Sequence, residues 1–181
     1  MKRAASSRAW PASERAEVAL RPTRQLLQIQ NRQRTRSVDT RLLKKLLSDV
    51  LRNDLGVAHY EICVHLVGAS EMTSVNETFL QHAGSTDVIT FSHREPPSTT
   101  ELYGELFVCV DEAIELAPRF RGTWQSELAR YVVHGFLHLQ GHDDQEPTAR
   151  RRMKRVENQV LRSLRKRSAV ERIGPGKRRV K

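Results

Sequence analysis

The sequence predicts an α+β or mixed α/β domain built on a small sheet of about four strands. Three observations carry that expectation. Short β-branched or aromatic runs alternate with segments of helical period, in the order β-α-β-α-β-β-α-α-α. The chain has 181 residues, 38% of them apolar, enough for one domain with a real core and too few for two comfortable ones. No apolar run approaches the roughly 20 residues of a membrane span, and no internal repeat is visible.

The elements follow in order. Residues 1–24 have no sustained period and read as a basic, flexible extension. Residues 26–30 (LLQIQ) form a short strand. Ser37 or Asp39 caps a helix with apolar residues at Val38, Leu42, Leu46 and Val50, widened by Leu43, Leu47 and Leu51, and Gly56 closes it. Residues 60–67 (YEICVHLV) alternate as a strand. Ser70 caps a short helix through about His82, which Gly84 ends. Residues 86–91 (TDVITF) are a third strand, 93–100 a Pro-containing loop, and 102–110 (LYGELFVCV) a fourth strand. Asp111 opens a helix that Pro118 disturbs. Thr123 caps the next, TWQSELARYVVHGFLHLQ, which Gly141 stops. Pro147 suits the first turn of a last helix with Met153, Val156, Val160 and Leu164 on one face and arginines on the other. The domain is expected to span 25–164, with 165–181 a disordered basic tail.

The net charge of +10 is carried by the ends. Residues 1–24 hold six Lys/Arg against two acids, residues 162–181 hold nine against one, and the stretch between is slightly acidic. Such tails attract RNA or ribosomal surfaces by counterion release, and equally they keep a protein soluble. No apolar segment of the secretory kind follows the basic start, and Cys63 and Cys109 each sit in an apolar stretch as reduced thiols would. A cytoplasmic protein is expected.

The chemistry concentrates in HGFLHLQGHDD, residues 134–144. Positions four apart share a helix face, so His134 and His138 can aim at one ion. Gly141 lets the chain turn back so that Asp144 completes a three-ligand zinc site; His142 and Asp143 compete for that place. In the HExxH zinc proteases a glutamate follows the first histidine as general base. Here that position is Gly135, which costs about 1 kcal/mol of helix propensity relative to alanine and implies a close approach to the backbone. The layout imitates a protease without its base. A metal-bound water with its pKa lowered to about 7 can still attack a phosphodiester.

These residues resemble the YbeY endoribonuclease family, the bacterial rRNA maturation factors. HGFLHLQGHDD is similar to its signature. TDVITF at 86–91, YGELFV at 103–108, VNETF at 75–79 and NRQ at 31–33 resemble further family segments in the same order, over roughly residues 25–164. The resemblance implies a zinc-dependent hydrolase-like fold: a small mixed four-stranded sheet with about five helices packed against it. It implies one Zn2+ in a cleft and metal-dependent cleavage of single-stranded RNA. It also implies a role in 16S rRNA maturation and ribosome quality control, with small-subunit rRNA and the ribosome or its proteins as partners and neither membrane nor DNA. Three positions depart from the pattern. Asp144 stands where the family has a third histidine, His142 where it has a tyrosine, and Leu80 where it has an arginine thought to handle phosphate. Arg94 and His82 are candidate replacements for that arginine.

The expected catalytic set is therefore His134, His138, Asp87 and Arg94, with His134, His138 and Asp144 on the metal. Asp87 orients a ligand or the substrate, or makes a strand-end hydrogen bond. Asp143 is a candidate support for the ligands. Arg150, Arg151, Arg152, Lys154 and Arg155 read as a phosphate-tracking ridge. Glu105 reads as a surface charge, His59 and His65 as ordinary strand residues, and the aromatics as core, with no base-stacking platform in view. The competing functions are a non-catalytic ribosome assembly factor with a structural metal, which Leu80 keeps open, and a metal hydrolase of non-nucleic substrates.

Overall fold

The computed structural model describes residues 24–167 and 170–174. Four strands, β1 (Gln25–Asn31), β2 (His59–Val67), β3 (Val88–Ser92) and β4 (Glu101–Cys109), form one sheet in the order β1-β2-β4-β3. β1, β2 and β4 run parallel, and β3 pairs antiparallel to β4 at the edge. Five helices accompany them: α1 (Thr40–Asp49), α2 (Ala69–Val75), α3 (Val110–Leu116), α4 (Trp124–Leu139) and α5 (Pro147–Lys166). This is the α+β fold with a mixed four-stranded sheet that the sequence predicts. No helix among the described residues is long and apolar enough to cross a membrane.

Local chemistry explains the boundaries. Asp39, not Ser37, caps α1: its Oδ1 accepts the Leu42 N–H at 2.9 Å. Leu43, Leu46 and Leu47 form its buried face, continued by Val50 and Leu51 in the π-helical turn Val50–Asp54. Gly56 follows at φ 65°. Ser70 does not cap α2. Gly68 holds that position, and the Ala69 N–H donates instead to Asp111 Oδ2 at 2.8 Å, a carboxylate delivered from the first turn of α3. The segment ends earlier than expected, because Gln81 turns left-handed (φ 57°) after the π-helical turn Asn76–Leu80. Pro118 falls in the 3-10 turn Ala117–Phe120.

The core lies between the sheet and α1, α4 and α5. On β4, Leu102, Gly104, Leu106 and Val108 are buried, and they meet an α4 face that includes Val132, Val133, Phe136 and Leu137. α4 sits so close to the sheet that a Cβ at Gly135 would overlap the Leu106 side chain, with Thr90 Oγ1 only 3.1 Å away. A Cβ at Gly104 would overlap the Phe91 carbonyl oxygen and Leu139 Cδ2. The group that approaches Gly135 is therefore the sheet itself. Cys63 and Cys109 are free thiols, and burial raises the pKa of both, as reduced cysteines in apolar surroundings require.

α5 runs to Lys166, and the 3-10 turn Val170–Ile173 returns to the core with Val170 and Ile173 buried. The Ile173 carbonyl accepts the Asp39 N–H at 2.8 Å, joining this turn to the start of α1. The basic composition around these two residues masked an apolar pair that a sheet-facing helix needed as cover. The N-terminal extension, apart from Arg24, and residues 175–181 lie outside the described residues.

Gly135→Ala should lower stability although it improves helix propensity. Overpacking against Leu106 costs about 1–3 kcal/mol, set against about 1 kcal/mol gained in the helix. A thermal unfolding midpoint at or above that of the parent would contradict this packing.

Candidate metal centre

α4 is the scaffold of the site. Thr123 opens it by accepting the Ser126 N–H at 3.3 Å, and Gly141, at φ 86°, reverses the chain just beyond its end. His134 and His138 project one turn apart with rings meeting edge to face, centroids 4.6 Å apart. Their Nε2 atoms are 3.0 Å from one another. The reversal brings Asp144 Oδ2 to 3.6 Å from His134 Nε2. His134, His138 and Asp144 thus each offer one ligand atom, and all these atoms lie within 4.8 Å of one another. Among the described residues no other group of three His, Cys, Asp or Glu side chains converges this way.

Both rings have their other nitrogen committed. His134 Nδ1 lies 3.1 Å from Glu157 Oε2, and His138 Nδ1 lies 3.0 Å from the His142 carbonyl oxygen. Each acceptor requires a proton on Nδ1. That leaves a lone pair on each Nε2, aimed at the other across 3.0 Å. A cation resolves this opposition, so the donor set fits a metal ion. His142 contributes its backbone carbonyl to the site, and Asp143 Oδ1 accepts the Gln145 N–H at 2.9 Å within the turn. Asp144 is the residue of the three that the turn delivers.

The support behind His134 is a buried charge chain. Glu157 is the only acid among the twenty residues of α5. Its Oε1 takes a 2.6 Å hydrogen bond from Arg130, which also donates to Glu127 Oε2 at 3.2 Å. Glu127 and Glu157 are both buried. Burial alone would raise the Glu157 pKa, but its hydrogen bonds from His134 and Arg130 outweigh that and hold it below the usual carboxylate value. The hydrogen bond to Glu157 raises His134 against its own burial. His138 goes the other way, lowered by burial and by its neighbour His134.

Residues 28–165 match the family described as Endoribonuclease YbeY. The chain belongs to that family. An endoribonuclease YbeY of Chlorobium luteolum is 36% identical over 138 residues, covering 76% of this chain and 97% of the relative. That of Salinibacter ruber is 31% identical over 144 residues, covering 76% of this chain and 91% of its own length. A Thermotoga maritima protein solved in solution matches in three dimensions with a TM-score of 0.55 and 28% identity, over 84% of this chain and all of that one. YbeY is thus the framework in which the remaining site residues are placed.

A cavity of about 490 Å3 opens beside the ligands, lined by His134, Asp144, Asp87, Arg150, Lys154 and Phe120 among others. Asp87 precedes β3, where its Oδ1 accepts the Val88 N–H at 2.8 Å and the Thr86 hydroxyl at 3.1 Å. It therefore makes the strand-end bonds and also faces the cavity, where its charge helps raise His134. Arg94 does not line the cavity; its guanidinium pairs with Glu101 at 2.5 Å. Leu80 and His82 are exposed, and neither lines it. Of the five cations after the turn, only Arg150 and Lys154 face the cavity.

Two groups escaped the sequence reading. Glu127, Arg130 and Glu157 were one; Glu127, Arg130 and His134 are spaced i, i+3, i+7 on a largely apolar helix, a stripe that could have pointed to them. The other lies on the sheet face turned away from α4. There buried His65 donates from Nε2 to Glu105 Oε2 at 2.8 Å and stacks on Phe107 at 4.5 Å, two contacts that reading His65 as an ordinary strand residue and Glu105 as a surface charge did not include.

Glu157→Gln should weaken metal binding about 10–100-fold without displacing a ligand. Asp144→Ala should lose metal that His142→Ala retains, as read by metal content after dialysis; full occupancy in Asp144→Ala would mean another residue is the ligand. Because Glu157 holds the His134 proton above the ordinary histidine pKa, protons should displace metal from a higher pH than a simple histidine site allows. Removing the Glu157 charge lowers that pKa, so in metal-free Glu157→Gln the His134 imidazole should titrate at lower pH than in the parent, as read by NMR.

Proposed function

We propose that this protein is a zinc-dependent endoribonuclease that cuts single-stranded RNA in the cytoplasm, acting on small-subunit rRNA in its maturation and in ribosome quality control. The observation that carries the reading is the pair of facing Nε2 atoms with Asp144, set at one end of a cavity that also holds Arg150 and Lys154. The relatives named endoribonucleases support the same substrate class. Two imidazoles and a carboxylate are a donor set suited to zinc, with a further position left for reaction. When bound, such an ion supplies Lewis-acid activation of water and of a phosphoryl oxygen.

The chain's own residues do the rest. His134, His138 and Asp144 would hold the ion. Glu157, kept ionised by Arg130, fixes the His134 ring so that Nε2 faces inward. The His142 carbonyl does the same for His138. Asp87 stands at the cavity wall, where it can orient an attacking water or a ribose hydroxyl. Arg150 also donates to the Asp144 and Gln145 carbonyls at 2.8 and 3.2 Å, stiffening the metal turn while bringing positive charge to it. With Leu80 in the place of the family arginine and Arg94 paired to Glu101, phosphate binding falls to Arg150 and Lys154. Gly135, packed on Leu106, supplies no peptidase base.

Purified protein should cut labelled single-stranded RNA, leave duplex largely intact and stop on chelation. His138→Ala should reduce cutting to background, and Asp87→Asn should lower it roughly 10–100-fold. If parent and His138→Ala both bind RNA and leave it equally whole, the protein is an assembly factor with a structural metal.

A further inference from the structure

The cavity beside the ligands contains more than metal chemistry requires. Phe120 stands at its rim, at the end of the 3-10 turn Ala117–Phe120, with 66% of its surface exposed. An exposed phenylalanine alone means little. This one faces a cavity whose lining includes half-buried Leu116 and buried Met153. Arg150, Lys154 and Asn158 line it too, spaced one turn apart along α5. Lys154 has no ion-pair partner among the described residues, whereas Arg130 is taken up by Glu127 and Glu157.

The second observation is Tyr131. It lines the same cavity and is 4% exposed, yet its hydroxyl is buried with no hydrogen-bond partner among the described residues. A buried donor left without an acceptor is costly and calls for one. Burial, then the charge of Asp87, keeps this phenol protonated, so it is a donor in the cavity wall that lacks an acceptor among the described residues.

We propose that this cavity is a subsite for one unpaired nucleotide of the RNA. The base lies against the face of Phe120. Entry of the nucleotide uncovers the Tyr131 hydroxyl, which then donates to an acceptor on the base or ribose. The adjoining phosphate rests on Lys154 and Arg150, next to His134 and Asp144. At about 490 Å3 the space is of the size that holds a small ligand. A base in a duplex has both faces stacked and its pairing edge occupied, so it cannot enter. Phe120 therefore sets the preference for single strands. The inference rests on the endoribonuclease reading and assigns its substrate contacts.

The test uses the full, metal-loaded chain and a short single-stranded RNA carrying 2-aminopurine, mixed by stopped flow and read before turnover. The parent should quench the fluorescent base. Phe120→Ala should lose the quench, bind about 5–100-fold more weakly, and raise KM more than it lowers kcat, with less discrimination against duplex. Phe120→Trp should restore all of these. Tyr131→Phe should weaken RNA binding several-fold while leaving the unfolding midpoint unchanged or higher, because the hydroxyl it removes has no partner in the protein. Affinity, quench and strand preference equal to the parent in Phe120→Ala, or affinity equal to the parent in Tyr131→Phe, would overturn the subsite. If the parent quenches and binds but cuts nothing, the endoribonuclease reading fails and the subsite stands. If the parent cuts and Phe120→Ala is indistinguishable from it, the reading stands and the subsite fails.

Discussion

Two imidazole nitrogens point at each other across 3.0 Å, and a hydrogen bond holds each ring by its far nitrogen. Glu157 holds the far nitrogen of one ring and the His142 carbonyl holds that of the other. Without those two acceptors each ring could rotate or change tautomer and the opposition would relax. With them the two Nε2 atoms stay convergent, a geometry that a cation between them would satisfy. The rest of the domain can be read as the means of keeping that arrangement in place. α5 carries Glu157, the turn at Gly141 carries the His142 carbonyl and Asp144, and Arg130 neutralises the buried acid that α5 brings.

The packing of α4 on the sheet sets where this happens. Two positions without side chains, Gly135 on the helix and Gly104 on β4, let the two surfaces approach more closely than alanine would permit. The ligand helix is thereby drawn down toward β3, the edge strand. Asp87, one residue before that strand, enters the same cavity as His134. A helix packed closely on a sheet is a more precise place to build a site than a loop. The glycine that removes a protease's general base is also the glycine that seats the helix.

The charge distribution of the cavity fits polyanion chemistry with the roles redistributed. Leu80, which the sequence resemblance sets in the place of an arginine, is exposed and does not line the cavity. Arg150 and Lys154 instead bring positive charge from α5, on the same helix as the acid that orients His134. One element therefore supplies both the support of a ligand and the cations beside it. The negative charge of Asp144 makes nearby cations the more useful, because a carboxylate in the donor set would offset part of a bound ion's charge.

Much of this was legible in the sequence because the relevant signals are local. The i, i+4 histidines, Gly141 and the aspartates after it lie within one helix turn and one reversal, where spacing alone dictates geometry. The strand and helix order was legible for the same reason: alternation and helical period are read over a few residues. What sequence could not decide depends on partners far along the chain. Glu157 meets His134 across 23 residues, and Glu105 meets His65 across 40. Nothing in either segment says which face it will show to the other. The choice of Asp144 over His142 and Asp143 was likewise made by the path of the turn, and the pairing of Arg94 with Glu101 by the Pro-containing loop. The sequence by itself determined the candidate ligand types and the elements that carry them. The tertiary structure alone decided which charges stand behind those ligands and which aromatic ring stands beside them, because burial and long-range contact are properties of the packed chain.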